Sequence, residues 1–110
     1  MLIFAAKLAK KNIYDLFYVA EYYFSTGRTE EAFDALERFL DYVRSENSAW
    51  NMAFELLIKY ENEDQTYLEG VRRVIGKLVE WGKINLGKTE LTEQSAAFVE
   101  RMAVKTQYTQ

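Results

Sequence analysis

The amino-acid sequence predicts an all-α protein, built either as an antiparallel bundle of five to six helices or as a short α-solenoid, with no sheet. Apolar residues recur every three or four positions in several stretches, and no segment alternates with a period of two over four or more residues. Of the 110 residues, 49% are hydrophobic and 28% are charged, which is typical of a globular chain. At this length we expect one helical domain over 1–110.

The stretch 12–44 predicts a helical hairpin. Asn12 is suited to cap its first helix, and Gly27 can take the left-handed backbone that ends it. Thr29, ahead of two glutamates, is a start signal for the second helix. Because the connection is short, the two helices should pack antiparallel as neighbours. The first helix carries a core stripe of Ile13, Leu16, Phe17, Ala20 and Phe24. Beside it runs a second row, which we call the tyrosine stripe: Tyr14, Tyr18 and Tyr22.

Three further helices follow the hairpin. Helix 49–60, with Ser48 as its cap, is apolar on nearly all sides and is predicted to be the central buried helix. A long helix over 65–81 should bury Leu68, Val71, Ile75, Leu78 and Val79. The last helix, 93–105, starts after Thr92 and should bury Phe98, Val99 and Met102.

Composition argues against catalysis and against a metal or cofactor. The chain has no Cys and no His, so thiolate nucleophiles, the commonest general base and the commonest metal ligand are absent. Acidic residues cluster on the second helix, where the solvated face of an amphipathic helix explains them: Glu30, Glu31, Asp34, Glu37 and Asp41. The turn with Glu61, Glu63 and Asp64 lacks the spacing of a calcium loop.

The first eleven residues, MLIFAAKLAKK, contain a short apolar run with no basic residue ahead of it. Such a run is too short to span a bilayer and is a poor signal peptide. We therefore expect either a short amphipathic helix or a first turn continuous with the helix that starts at Asn12, in a cytoplasmic protein that has no membrane partner.

Residues of the hairpin also follow the order of a known helical repeat when Ile13 is taken as its first position: Leu16, Val19, Ala20, Tyr23, Gly27 and Ala32. They stand where the tetratricopeptide repeat, of about 34 residues, prefers Trp, Leu, Gly or Ala, Tyr, Gly and Ala. The segment 13–46 thus resembles one degenerate copy of that repeat. Arg44 stands where the family commonly has Pro.

This resemblance implies that the first helix lines a concave, protein-binding surface. It would turn Tyr14, Phe17, Glu21 and Phe24 toward a partner. The family's carboxylate clamp is not matched, because its positions hold Phe17 and Glu21 in place of Lys and Asn. Phe17 and Phe24 belong to the core stripe as well, and burial is the commoner fate of such residues. The predicted partner-binding residues are Tyr14, Tyr18, Tyr22, Glu21 and Phe24.

An alternative is a nucleic-acid interface on the long helix. Arg72, Arg73, Lys77 and Lys83 are concentrated there and could contact phosphates. The whole chain carries a net charge of −3, however, which makes nucleic acid the less favoured partner.

A third hypothesis is a phosphate-binding loop. Gly82, Gly87, Lys88 and Thr89 match the pattern G-x-x-x-x-G-K-[ST], in which backbone amides and the lysine hold phosphate. That motif requires a buried strand before it, whereas the preceding residues have helical spacing.

The sequence therefore favours a non-catalytic protein-interaction module, meaning an adaptor, an assembly factor or a small acidic inhibitor. Its partner is expected to be a protein, and a homodimer through the tyrosine stripe is a further expectation.

Overall fold

The structure is a computed structural model that describes residues 13–44, 46–84 and 91–107. In these ranges the chain forms five α-helices and no strand, so the all-α prediction is confirmed. The helices are α1 (Tyr14–Ser25), α2 (Thr29–Val43), α3 (Asn47–Lys59), α4 (Gln65–Ile84) and α5 (Glu93–Lys105). The predicted cap Asn12 and the segment 1–11 lie outside the described residues.

Helices α1 and α2 form the predicted antiparallel hairpin. Gly27 has a φ of +80°, the left-handed conformation that glycine adopts without steric cost. Near this turn the ring of Phe24 meets that of Phe33 at 5.1 Å, and farther away Phe17 meets Phe39 at 5.6 Å. Contacts that move back along α1 while they move forward along α2 define an antiparallel pair.

The second helix begins at the predicted residue, Thr29, whereas the third begins earlier than predicted. Thr29 is the first residue of α2 and makes no capping hydrogen bond, and α3 begins at Asn47, one residue before the predicted cap Ser48. Trp50 instead fixes the start of α3, because its Nε1 donates to the carbonyl oxygen of Arg44 at 2.6 Å. Thr92 does cap α5, since its Oγ1 accepts from the backbone nitrogen of Ser95 at 3.2 Å.

The core lies around α2 and α3. As predicted, α3 is well buried, with Trp50 and Phe54 fully covered. Helix α2 packs against α1, α3 and α4, while α3 packs against α2 and α5. Helix α2 is therefore a central element of the core together with α3.

Helix α4 extends to Ile84, beyond the predicted end at residue 81, and its buried face is only partly the predicted one. Val71 and Ile75 are buried as predicted. The buried residues of α4 are Tyr67, Gly70, Val71, Val74 and Ile75, while Leu68, Leu78 and Val79 are only half-buried. The reason is a close approach at Gly70, where an added Cβ would lie 2.4 Å from Cδ2 of Phe33. Without a side chain at Gly70, α4 rests directly on that ring of α2. Its apolar stripe is rotated accordingly.

In α5, Phe98 and Met102 are fully buried as predicted, and Val99 is half-buried. The ring of Phe98 lies 6.0 Å from that of Phe54, which joins α5 to α3. Within the described residues, every helix is too short or too polar to cross a bilayer.

Candidate protein-binding surface

The tyrosine stripe of α1 faces solvent. Tyr14, Tyr18 and Tyr22 are 36%, 59% and 61% exposed, and Val19 beside them is 42% exposed. In the described part of the chain the only other exposed large hydrophobic residues are Tyr42 and Val104, which lie on different helices. Large apolar side chains in contact with water are thus concentrated on α1.

The opposite face of α1 is fixed in the core. Phe24 was predicted to bind a partner, but it is only 7% exposed and does not lie on the surface. Its ring stacks on Tyr60 at 5.7 Å with an interplanar angle of 12°, and it meets Phe33 edge-on. Phe24 lies seven residues, about two helical turns, after Phe17, so both project toward α2. Their burial holds α1 in one orientation and keeps the tyrosine stripe outward.

Tyr14 is more constrained than the other two tyrosines. Its ring lies 5.3 Å from that of Phe39, and its hydroxyl donates to Oε2 of Glu46 at 3.2 Å. Partial burial raises the pKa of Tyr14, and the nearby Glu46 charge adds to this because it disfavours the phenolate. Tyr14 therefore connects α1 to Glu46, the residue before α3. Within the described residues, the hydroxyls of Tyr18 and Tyr22 make no hydrogen bond to another helix.

A cleft between α1 and α3, which we call the α1–α3 groove, adjoins the tyrosine stripe. Its apolar lining consists of Phe17, Met52 and Leu56. The ring of Phe17 meets that of Tyr18 edge-on at 5.7 Å, so Tyr18 of the stripe lies next to a residue that lines the groove. The open volume, about 290 Å³, falls just below the ~300–1,000 Å³ typical of small-molecule sites. Such a cleft suits one or two side chains of a larger partner.

The polar border of the groove is mostly acidic. Glu21 and Glu55 line it together with Lys59, whose Nζ lies 3.7 Å from Oε2 of Glu21. Lys59 is the only basic residue in the two helices α1 and α3. A further acidic residue, Asp15, lies on α1. Glu21, a predicted partner-binding residue, is thus half-buried and beside the groove.

Two of the four residues of the predicted basic face of α4 are paired with acids of α2, in a region we call the α2–α4 seam. Arg73 Nε lies 3.0 Å from Oε2 of Glu37, and Lys77 Nζ lies 2.8 Å from Oδ1 of Asp41. Glu37 was expected on a solvated face, but its side chain is only 20% exposed because α4 covers it. These contacts neutralise much of the positive charge.

Arg72 and Lys83 are the other two residues of the predicted nucleic-acid interface. Arg72 is exposed and makes an interaction of its own. The Lys83 side chain lies outside the described residues. Five acidic residues and three basic ones line the cleft at the seam: Glu30, Asp34, Glu37, Asp41, Glu69, Arg38, Arg73 and Lys77. Negative charge therefore predominates where the predicted basic face meets its neighbour.

Of the phosphate-loop residues, Gly82 and Lys83 fall within α4, which continues to Ile84. A phosphate loop requires its first glycine after a strand, so this helical placement does not fit the motif. Gly87, Lys88 and Thr89 lie outside the described residues.

The acidic turn after α3 has a structural role. Glu61 pairs with Arg101 at 2.7 Å and Glu63 with Lys105 at 2.6 Å, which ties the turn to α5. Within the described ranges, no three acidic side chains are grouped closely enough to hold a metal ion.

The exposure of the three tyrosines agrees with the sequence prediction, whereas the α1–α3 groove was not predicted. The signal for it was a narrow polar stripe on α3, namely Asn51, Glu55 and Lys59, which flanks Met52 and Leu56. Asn51 turned out to have a structural role, since its Oδ1 accepts from the backbone nitrogen of Thr92 at 2.9 Å.

No protein-family model matches this chain, and neither the curated proteins nor the solved structures contain a match.

Proposed function

We propose that the protein is a non-catalytic interaction module that binds a protein partner through α1, using the tyrosine stripe and the α1–α3 groove beside it. This class includes adaptors, assembly factors and small acidic inhibitors. We place the protein's action in the cytoplasm as part of the same proposal. The observation that carries the proposal is the concentration of exposed apolar side chains on α1, where four of the six in the described residues lie.

Aromatic side chains presented by a rigid helix are well suited to binding. Tyrosine offers a large contact area with few rotatable bonds, so little conformational entropy is lost when a partner covers it. Interface cores are enriched in such residues, which often dominate the binding free energy. The buried Phe17 and Phe24 on the other face keep the helix in place.

Two further features support this class of function. The polar contacts at the α2–α4 seam and at the acidic turn join helices to each other, which gives these charged residues a structural role. The resemblance of 13–46 to a tetratricopeptide repeat points the same way, because the first helix of such a repeat lines a binding surface.

A capture experiment with two matched variants tests the proposal. Immobilised wild-type protein, the double variant Tyr18→Ser with Tyr22→Ser, and the single variant Tyr42→Ser are each incubated with extract from cells that produce the protein. Tyr42 is 59% exposed, as Tyr18 is, but it lies on α2. Tyrosine and serine have similar helix propensities, so folding should be preserved in all three.

We expect a protein retained by wild type and by Tyr42→Ser to be lost with the double variant. Retention by all three proteins, each shown to be folded by circular dichroism, would contradict a binding role for α1.

Self-association through the same surface is a second proposal, because an exposed apolar face can be covered by a second copy. In a symmetric antiparallel dimer centred on Tyr18, however, Asp15 of each copy would approach Glu21 of the other, and like charges oppose such pairing. Light scattering at high micromolar concentration tests this, and a strict monomer there excludes the homodimer.

A further inference from the structure

We infer that the α1–α3 groove takes a basic amphipathic helix of a partner protein, with apolar side chains in the groove and lysines or arginines at its acidic border. This inference rests on the proposed function, since it names the chemistry of the partner that α1 would bind. It follows from charge complementarity, from the apolar lining and from the length of the surface.

The charge distribution argues for a cationic partner. Helices α1 and α3 contain Asp15, Glu21 and Glu55 against a single Lys59. Lys59 approaches Glu21 at 3.7 Å, longer than a direct hydrogen bond, and both side chains keep substantial exposure. Glu55 is exposed at the border of the groove. A partner cation can therefore reach both carboxylates without breaking a close internal ion pair.

The tyrosine rings add to this preference for a cation. A guanidinium or ammonium group is attracted to the face of an aromatic ring. In this chain Arg28 already lies over the ring of Tyr23, 4.9 Å from its centroid, which illustrates the contact on the same helix. Tyr18 and Tyr22 are the most exposed rings of the stripe and remain accessible for the same contact from outside.

The apolar lining argues for an amphipathic segment rather than a purely charged one. Phe17 and Leu56 are almost fully buried, and Met52 between them is half-buried. Methionine adapts its shape readily to an incoming side chain. From Tyr14 to Tyr22 the stripe extends over eight residues, about 12 Å along the helix axis. A partner helix with apolar residues at i, i+3, i+4 and i+7, which extend over about 10.5 Å, matches this span.

A titration with two synthetic peptides tests the inference on the full chain. One peptide, of about 18 residues, contains only leucine and lysine with the leucines on one helical face, and the other has glutamate in place of lysine. Binding is followed by fluorescence anisotropy of the labelled peptide. Wild type is compared with Glu21→Gln plus Glu55→Gln, and with Glu93→Gln plus Glu100→Gln, which makes the same charge change on exposed positions of α5.

We expect saturable binding of the lysine peptide and none of the glutamate peptide. The groove variant should bind about fivefold more weakly, which corresponds to the loss of two exposed charge contacts, and the α5 variant should bind as wild type does. Absence of saturable binding, equal binding of both peptides, or equal weakening in the two variants would each overturn the inference. So would a stable dimer, seen by light scattering, that excludes the peptide.

This result is separable from the proposed function. If the peptide fails to bind while Tyr18→Ser with Tyr22→Ser still loses a captured protein, α1 remains the binding surface and only the chemistry of the partner was wrong. If the double variant keeps every captured protein, the proposed function fails first.

Discussion

At the α2–α4 seam, basic side chains are paired with acidic ones, whereas beside the α1–α3 groove the rings of Tyr18 and Tyr22 are exposed to water. Arg73 and Lys77 find their carboxylates within 3.0 Å on the neighbouring helix. Tyr18 and Tyr22 remain more than half exposed, beside a cleft with an apolar lining. The first region has its interactions completed inside the molecule, and the second does not.

This difference indicates which of the two surfaces is the better candidate for binding a partner. A charged face that a neighbouring helix pairs gives stability and little capacity for recognition, so the basic residues of α4 are a weak guide to a partner. An apolar face left uncovered contributes little to folding, and binding is the common reason for such a face in a small protein. Substitutions in and around the two regions test whether the seam stabilises the fold and the groove does not. They are given in order of decreasing expected effect on stability.

Removal of the indole of Trp50 should have the largest effect, because it takes away the anchor of α3, one wall of the groove. Trp50 is fully buried and its Nε1 donates to the carbonyl of Arg44. Trp50→Ala should lower the free energy of unfolding by about 3–5 kcal/mol. Urea denaturation measures this, with Val104→Ala, an exposed position on α5, as the control that should change little.

At the seam, Gly70→Ala should force α2 and α4 apart. The added methyl would overlap the ring of Phe33, so we expect a loss of about 1–3 kcal/mol despite the better helix propensity of alanine. Thermal denaturation measures it. If Gly70→Ala stabilises the protein, as alanine does in an open helix, the helices are not in contact here.

Tyr67 supplies a prediction that depends on pH. Its buried hydroxyl donates to the carbonyl of Leu57 at 2.7 Å, among the last carbonyls of α3, and Tyr67→Phe should cost about 1–3 kcal/mol at neutral pH. Burial, followed by the charge of Glu61, raises the pKa of Tyr67 above the ordinary value of 10.0. The unfolded state therefore loses its proton first as pH rises.

This stabilising contribution is complete below about pH 10 and declines above it, by about 1.4 kcal/mol per pH unit. Denaturant midpoints from pH 8 to 11 should fall faster for wild type than for Tyr67→Phe. Parallel curves for the two proteins would show that the hydroxyl is not buried.

The ion pairs of the seam should contribute least. Both are partly exposed, so Asp41→Asn should lower the free energy of unfolding by less than about 1 kcal/mol. Raising the salt concentration should reduce the difference from wild type, because ions screen exposed pairs. A loss that is larger, or indifferent to salt, would mean that the seam is more deeply buried than its exposure indicates.

The sequence was sufficient for the elements and for much of the core. Spacing of apolar residues located the helices, Gly27 marked the turn of the hairpin, and the exposed positions of the tyrosine stripe followed from its offset from the core stripe. These features depend on residues close together in the chain, which is why pattern alone determines them.

Contacts between distant residues could not be predicted in the same way. Arg73 and Glu37 are 36 positions apart, so their pairing depends on how α4 lies on α2. That orientation is set by Gly70, whose role is visible only when Phe33 is beside it. The groove likewise combines Phe17 with Met52 and Leu56, which no local pattern associates.

We propose that a partner binds at α1 and not at the α2–α4 seam. Hydroxyl-radical footprinting of the free protein and of its complex with the captured partner tests this most directly, since it reports the accessibility of each tyrosine. We predict that oxidation of Tyr18 and Tyr22 falls severalfold in the complex while that of Tyr42 is unchanged. Protection of Tyr42 with Tyr18 and Tyr22 still fully oxidised would contradict the account.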